Sequence, residues 1–364
     1  MLIGIDASRA NKKNKTGVEW YSYHLIEALK KNDRENQYFL YTDKPLEGKL
    51  GVCPSNFSEK ILKWPFGKFW TLGRLSLEML FGEKPDVLFV PAHTLPLITP
   101  NRSVVTVHDI GFERFPEVYK WPDIVYHRFA IKNIKRASAQ IITVSEFSKK
   151  EIIDVYKISA EKITAIPIGF SPPHFDMDFV REETRKIGGL PFILFVGRLE
   201  EKKNICRMLE AFAKIKNSGK IPDLRFVLAG RPGFGFEKIK KKIVELNLLD
   251  DVIFTGWINN DELGFLYQRA KVLLFATLYE GFGIPPLEAM SVDCPVVCSN
   301  ATSLPEVVGD AAILVDPLSV DYIAAGLSAA LFDDEKRKIL IERGRERVKL
   351  FSWEKCAAET LKVL

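Results

Sequence analysis

Short, nearly unbroken apolar runs separated by amphipathic stretches recur along the whole chain, and no other feature constrains the fold as strongly. Such runs fall at residues 2–5, 87–90, 104–107, 141–144, 192–196, 226–229, 252–254, 272–275 and 296–297. A strand with one wet face alternates apolar with polar side chains. An unbroken run suits a strand covered on both faces, as in a parallel sheet. Between the runs lie stretches with helical spacing, such as 20–31, 123–136 and 203–216. This β–α alternation implies right-handed crossovers and an open, doubly wound α/β sheet.

The alternation occurs twice, as expected for two domains in a chain of 364 residues. The first set ends near residues 163–166, before the turn-rich segment 168–174 and a charged helix-like stretch at 180–186. The second set starts at Phe192. The expected organisation is a first domain at 1–170 and a second at 171–350. Residues 351–364 form a last amphipathic helix, with Ser352 as its N-cap. No solenoid-type repeat or low-complexity tract interrupts this pattern.

Composition narrows the function classes. No apolar stretch is long enough for a membrane-spanning helix, and the N-terminus lacks a basic segment ahead of an apolar one. The expected location is cytoplasmic. Cys53, Cys206, Cys294, Cys298 and Cys356 are widely spaced and odd in number, which argues against a disulfide framework and a zinc site. The net charge of +5 suits a phosphate-bearing substrate or an anionic membrane surface. No basic run interleaved with aromatics resembles a nucleic-acid module, so no nucleic-acid partner is expected.

In doubly wound sheets ligands bind at the carboxyl ends of strands, and with two domains the default site is the cleft between them. Residues just past each strand are therefore the candidates. After 192–196 come Gly197, Arg198 and, at the head of a helix, Lys203. A glycine lets the backbone approach a ligand, a guanidinium forks two phosphate oxygens, and an ammonium adds a point charge. A solvated basic loop is the alternative at these eight residues. After 272–275, Glu280 and Glu288 enclose a Gly-Phe-Gly-x-Pro-Pro segment. Two carboxylates can hold sugar hydroxyls, and backbone N–H groups from Phe282 to Ile284 are placed to cap a diphosphate. A pair of merely solvated or capping acids would leave that segment unexplained. After 104–107 comes His108, followed by Asp109; a lone histidine in this position is more often structural. Gly17, at the head of a helix, can offer its N–H to a phosphate or simply start the helix.

Three other features carry less. Asp176-Met177-Asp178 has the form of a metal-binding DxD, but it lies in a linker rather than at a strand end, so no metal is assigned to it. Gly233-Phe234-Gly235 lacks the third glycine of a dinucleotide fingerprint. The segment KILKWPFGKFWTLGR at 60–74 interleaves cations with aromatics. It reads first as a stretch packing its rings on the first domain and second as a peripheral contact with a membrane surface or lipid-linked acceptor.

Several segments together resemble the GT-B retaining glycosyltransferases of family four over essentially the whole chain. GRLEEKKN at 197–204 resembles the family's phosphate-binding loop, and EGFGIPPLE at 280–288 its long E-x7-E signature. TG at 16–17, TVHDIGFERFPE at 106–117, TVSEFS at 143–148, LPEVVGDAAILVDP at 304–317 and FSWEK at 351–355 also match. The pattern is most similar to bacterial mannosyltransferases of surface-polysaccharide assembly.

The resemblance implies a GT-B fold, two Rossmann-like domains facing a cleft, with the C-terminal helix crossing back onto the first. It implies an acceptor-binding first domain and a donor-binding second one. Gly17 would meet the donor phosphate and His108 the transferred sugar. Arg198 and Lys203, beside Gly197, would hold the diphosphate. Glu280 would bind sugar hydroxyls, with Gly281, Phe282, Gly283 and Ile284 lining sugar and phosphate, and Glu288 would bind the ribose. Arg231, Trp257 and Ile258 would line the base. The implied reaction moves a hexose from a nucleotide-sugar, with GDP-mannose first and dTDP-rhamnose or UDP-glucose as alternatives, to a glycan or polyprenyl-linked acceptor, without metal or other cofactor. A peripheral position on the inner membrane's cytoplasmic face would suit a polyprenyl-linked acceptor. A nucleotide-sugar epimerase and a non-catalytic nucleotide-sugar-binding subunit are the rivals. Two segments depart from the family pattern, 168–171 at the linker and 292–295 after the E-x7-E helix. At the second, Asp293 is a residue that tolerates a left-handed turn, so only a local change is expected.

Overall fold

The computed structural model describes residues 1–13, 15–66 and 69–364, which fall into two compact units. The first comprises Met1–Gly169 with Phe351–Leu364, and the second Phe170–Leu350.

In the first unit, β1 (Leu2–Asp6), β2 (Gln37–Thr42), β3 (Phe57–Ile61), β4 (Val87–Val90), β5 (Ser103–Thr106), β6 (Gln140–Thr143) and β7 (Ile163–Ala165) pair in the order 3-2-1-4-5-6-7. Every pairing is parallel. In the second, β8 (Phe192–Val196), β9 (Arg225–Ala229), β10 (Val252–Gly256), β11 (Val272–Phe275), β12 (Val296–Ser299) and β13 (Ile313–Val315) pair in the order 10-9-8-11-12-13, again all parallel. Renumbered within its own sheet, that second order is 3-2-1-4-5-6, the doubly wound Rossmann order. The strand order reverses between β1 and β4 in one sheet and between β8 and β11 in the other. Crevices for ligands open at those points, beyond the carboxyl ends.

The central strands are fully buried, β4 and β11 at all four positions, because helices cover both faces. Helix ends are set by local chemistry. Ser145 accepts from the Ser148 amide at the head of Glu146–Tyr156, and Asn259 with Glu262 makes a reciprocal capping box on Asn260–Arg269. Ser352 accepts from the Lys355 amide and caps the last helix, Trp353–Val363. That helix packs on Gly17–Asn32, with the Trp353 ring stacked on His24 at 5.0 Å. A Cβ at Gly169 would sit 2.4 Å from the Trp353 nitrogen, so only glycine allows the outgoing and returning chain to pass this closely.

Of the basic-aromatic segment 60–74, Gly67 and Lys68 lie outside the described residues, as does Asn14 ahead of Gly17. The remaining rings divide. Trp70 is buried and donates to Leu62 O at 2.8 Å, and Trp64 packs on Gly73, whereas Phe66 and Phe69 face solvent. Among the described residues no helix is long and apolar enough to cross a membrane.

Candidate active site

The second unit gathers the charged candidates at the reversal between β8 and β11. Glycine makes this possible. Gly197 and Gly230, the first residues past β8 and β9, have φ of +146° and +152°. A Cβ at Gly230 would lie 1.9 Å from the Gly197 carbonyl oxygen, so the two strand ends meet backbone to backbone. The loops then run side by side, with Leu199 N donating to Arg231 O and Gly233 N to Leu199 O, both at 2.9 Å.

Past β8 the chain makes a 3-10 turn, Glu201–Lys203, and enters helix Ile205–Asn217 through Asn204 in the left-handed region. Lys203 Nζ lies 2.7 Å from Glu280 Oε1, and both side chains are largely buried. Arg198 is exposed, its Nε 3.7 Å from Glu200 Oε2, while Lys202 reaches the other oxygen of Glu200 at 3.5 Å. Arg198 is therefore held loosely from behind and remains open to an arriving anion. The Glu280 loop is anchored from the turn beyond β12: buried Ser303 Oγ lies within bonding distance of the carbonyls of Glu280 (2.9 Å) and Phe282 (2.8 Å), and Glu280 N donates to Thr302 Oγ1 at 3.3 Å. Gly283 has φ +110°, and a Cβ there would strike Leu304 at 2.5 Å. Gly281 and Phe282 are buried in this loop, and Ile284 opens helix Ile284–Met290.

Glu288, on that helix, accepts from the buried Tyr267 hydroxyl at 2.8 Å, and desolvation raises its pKa above the ordinary carboxylate value. Past β9 and β10, the Arg231 guanidinium lies 5.7 Å over the exposed Trp257 ring, with Ile258 half-buried next to it. The left-handed turn expected at Asp293 is present, with φ +62°, and its carboxylate takes both nitrogens of an Arg345 fork at 2.7 and 2.6 Å.

The first unit presents something different at its own strand ends. His108, past β5, is buried, and its Nε2 has no hydrogen-bond partner. Burial pushes its pKa down to about 4, so the ring is neutral at pH 7. His93, past β4, lies 5.2 Å from it and is held at about 3, chiefly by burial. His127 lies 5.9 Å from His93 and stacks on Phe112 at 4.9 Å. Tyr21, from the helix that Gly17 opens, meets the His108 ring edge-on at 4.7 Å. Gly17 itself is exposed, with open space where a Cβ would go. Asp6, at the end of β1, accepts from Ser8 and Thr71, and burial raises its pKa. Sequence reasoning missed His93, His127, Asp6, Glu200 and Ser303. Two of them had a signal: Asp6 directly follows the apolar run 2–5, and His93 lies three residues past 87–90.

Asp176 of the linker spends its carboxylate on the Asp178 amide at 3.0 Å. Among the described residues no group of three or more His, Cys, Asp or Glu side chains could hold a metal.

Two α/β units with parallel sheets of this order define the GT-B class of fold, and solved structures agree. A sucrose-phosphate synthase from Thermosynechococcus elongatus aligns with a TM-score of 0.73 at 20% identity, covering 100% of this chain and 98% of its own. WaaG, a glycosyltransferase involved in lipopolysaccharide biosynthesis, aligns at 0.69 and 16% identity, covering 100% and 99%. Residues 15–172 match the model of Glycosyltransferase Family 4, and 176–347 that of Glycosyl transferases group 1. The Escherichia coli O-antigen chain mannosyltransferase B is 33% identical over 72% of this chain and 69% of its own length. The chain belongs to glycosyltransferase family 4. A Campylobacter jejuni 4-alpha-N-acetylgalactosaminyltransferase, whose name places its acceptor on diphospho-undecaprenol, is 33% identical over 90% of this chain and 86% of its own.

Proposed function

We propose that the chain moves mannose from GDP-mannose to a glycan or polyprenyl-linked glycan acceptor in surface-polysaccharide assembly. The transfer retains the anomeric configuration, needs no metal, and takes place at the cytoplasmic face of the membrane. The observation that carries this reading is the Lys203–Glu280 pair, an ammonium and a carboxylate 2.7 Å apart between two glycine-bent loops. A donor with a diphosphate and a hydroxyl-rich sugar offers each of them a partner. The O-antigen mannosyltransferase relative supports mannose.

In this reading Arg198 and Lys203, with Gly197 and the Gly17 amide, hold the diphosphate. Glu280 takes sugar hydroxyls, with Gly281, Phe282, Gly283 and Ile284 beside sugar and phosphate. Glu288 exchanges Tyr267 for the ribose, and Arg231, Trp257 and Ile258 flank the base. The neutral His108 offers its Nε2 lone pair to a sugar hydroxyl. The acceptor oxygen bonds to the anomeric carbon as the bond to the diphosphate breaks. Its proton passes to a donor phosphate oxygen, and the fixed cations stabilise charge growing on the leaving group.

A second reading has a sugar other than mannose, which the N-acetylgalactosaminyltransferase relative favours because it matches more of this chain, and takes a UDP-sugar as the donor. Calorimetric titration with GDP, UDP, dTDP and ADP and their sugar conjugates, with and without chelator, separates the two. Selective, chelator-insensitive binding of GDP and GDP-mannose is the expected result. Selectivity for UDP would transfer the proposal to the second reading, and binding of none would remove both. Turnover of a donor without acceptor would point to an epimerase.

A further inference from the structure

We propose that Asn204 is a positioning residue, whose side-chain amide fixes the turn carrying Lys203 against the Glu280 loop and so sets where the ammonium meets the donor diphosphate. This rests on the donor reading above and names a residue that reading leaves out.

Asn204 is 4% exposed and follows Lys203 directly. Its backbone is left-handed, with φ +61° and ψ +27°. Glycine would adopt that conformation at less cost, so the backbone alone does not account for an asparagine. It stands at the N-cap of Ile205–Asn217, yet its side chain makes no capping bond to a backbone amide of that helix. Ordinary capping does not account for it either.

The side chain instead ties three strands together. Nδ2 donates one hydrogen to Ala276 O at 2.8 Å, the first residue past β11, and the other to Pro317 O at 2.7 Å, just past β13. Oδ1 accepts from Arg207 Nη1 at 2.9 Å. Two residues before Asn204, Lys202 O accepts from Leu278 N at 2.9 Å. The segment 202–204 is thus pinned to 276–278 on both sides of Lys203. Lys203 and Glu280 project from these two pinned segments, and their 2.7 Å pairing follows from how the segments are joined. A buried amide with both hydrogens and its oxygen engaged holds one geometry, because any rotation leaves polar groups unpaired.

The test compares the affinity of nucleoside diphosphate and monophosphate, using GDP with GMP and UDP with UMP. Wild type, Asn204→Gly, Lys203→Met and the double variant are measured by calorimetry alongside thermal unfolding. Glycine keeps the left-handed backbone and removes only the amide. Wild type should favour the diphosphate by about tenfold or more, given the strength of charge-assisted contacts. Asn204→Gly should keep its monophosphate affinity and lose most of that preference. The double variant should lose no more than Lys203→Met alone, because Asn204 acts through Lys203. A full diphosphate preference in Asn204→Gly, or losses that add in the double variant, would overturn the proposal. If Asn204→Gly does not fold, Arg207→Met decides: it releases Oδ1 alone and should lower the preference by about threefold, and no change would overturn the proposal. A wild type that does not discriminate would remove the donor reading itself, a distinct result.

Discussion

The two sheets share one strand order over six strands and differ at their carboxyl edges. In the second unit Gly197, Gly230, Gly235, Gly256 and Gly283 have positive φ, and charged side chains pair across the loops they bend. In the first, among the described residues, Gly48 is the only such glycine, and the strand ends carry His93, His108 and nearby His127, all depressed in pKa. One scaffold therefore supports two ways of meeting a ligand. One edge opens backbone and fixed charge to an anion, and the other offers neutral rings suited to uncharged hydroxyls.

The largest effect expected is at Glu280. Glu280→Ala should lower kcat roughly 10²–10³-fold, the range for removal of a group that acts in the transition state. It also strips Lys203 of its counter-ion, so GDP affinity should hold or rise. Steady-state kinetics beside calorimetry check this, and full turnover in the variant would remove Glu280 from the site.

Next comes a pair of glycines. Gly230→Ala places a methyl 1.9 Å from a carbonyl oxygen at φ +152° and should cost about 3 kcal/mol or more, read as a lowered denaturant midpoint. Gly17→Ala meets open space and should stay within ~0.5 kcal/mol of wild type with its amide intact. A Gly17→Ala protein that folds but no longer turns over would break the comparison, because that edge too would then need bare backbone at the ligand.

Acid should separate the units further. His24, His93, His108 and His127 all lie in the first unit with lowered pKa, so the native state binds fewer protons than the unfolded one. Stability they leave intact above pH 6.5 is lost as pH falls toward 4, by on the order of 3 kcal/mol for buried His108. In the second unit Glu288 is raised and works the opposite way, gaining as pH falls. Asp6, in the first, also gains and partly offsets its histidines. The lowered carboxyls Glu19, Asp33, Glu113, Glu262 and Asp293 act mainly below pH 4.5. Region-resolved hydrogen exchange at pH 7 and pH 5.5 should therefore show the first unit loosening and the second holding or tightening. Equal loosening would contradict it.

What the sequence displayed follows from where each element sits. Each of the nine apolar runs holds a strand, because strands covered on both faces need such runs. The runs did not show β2, β3, β7 or β13, of which only β7 was marked, as the place where the first set ends. β3 and β13 are edge strands, β3 buried only at Phe57 and β13 three residues long. β2 lies inside the sheet but fills three of its four buried positions with Tyr38, Tyr41 and Thr42, which interrupt an apolar pattern. The charged loops were legible because glycines and carboxylates cluster within a few residues. The supports were not: Asn204 meets Pro317 across 113 positions, and His93 meets His108 only because β4 and β5 are neighbours.

The smallest effect expected is at Asp176, which tests whether the paired cations act without a metal. Its carboxylate already caps the turn Met177–Phe179 by accepting from the Asp178 amide. Asparagine caps nearly as well, so Asp176→Asn should shift stability by under ~0.5 kcal/mol and leave turnover unchanged. Chelator should likewise leave both proteins active, since Arg198 and Lys203 supply the positive charge in the proposed reaction. A variant that loses turnover, together with a wild type silenced by chelator and restored by a divalent cation, would move a metal into the linker. The second unit's edge would then no longer be the sole source of positive charge at the diphosphate.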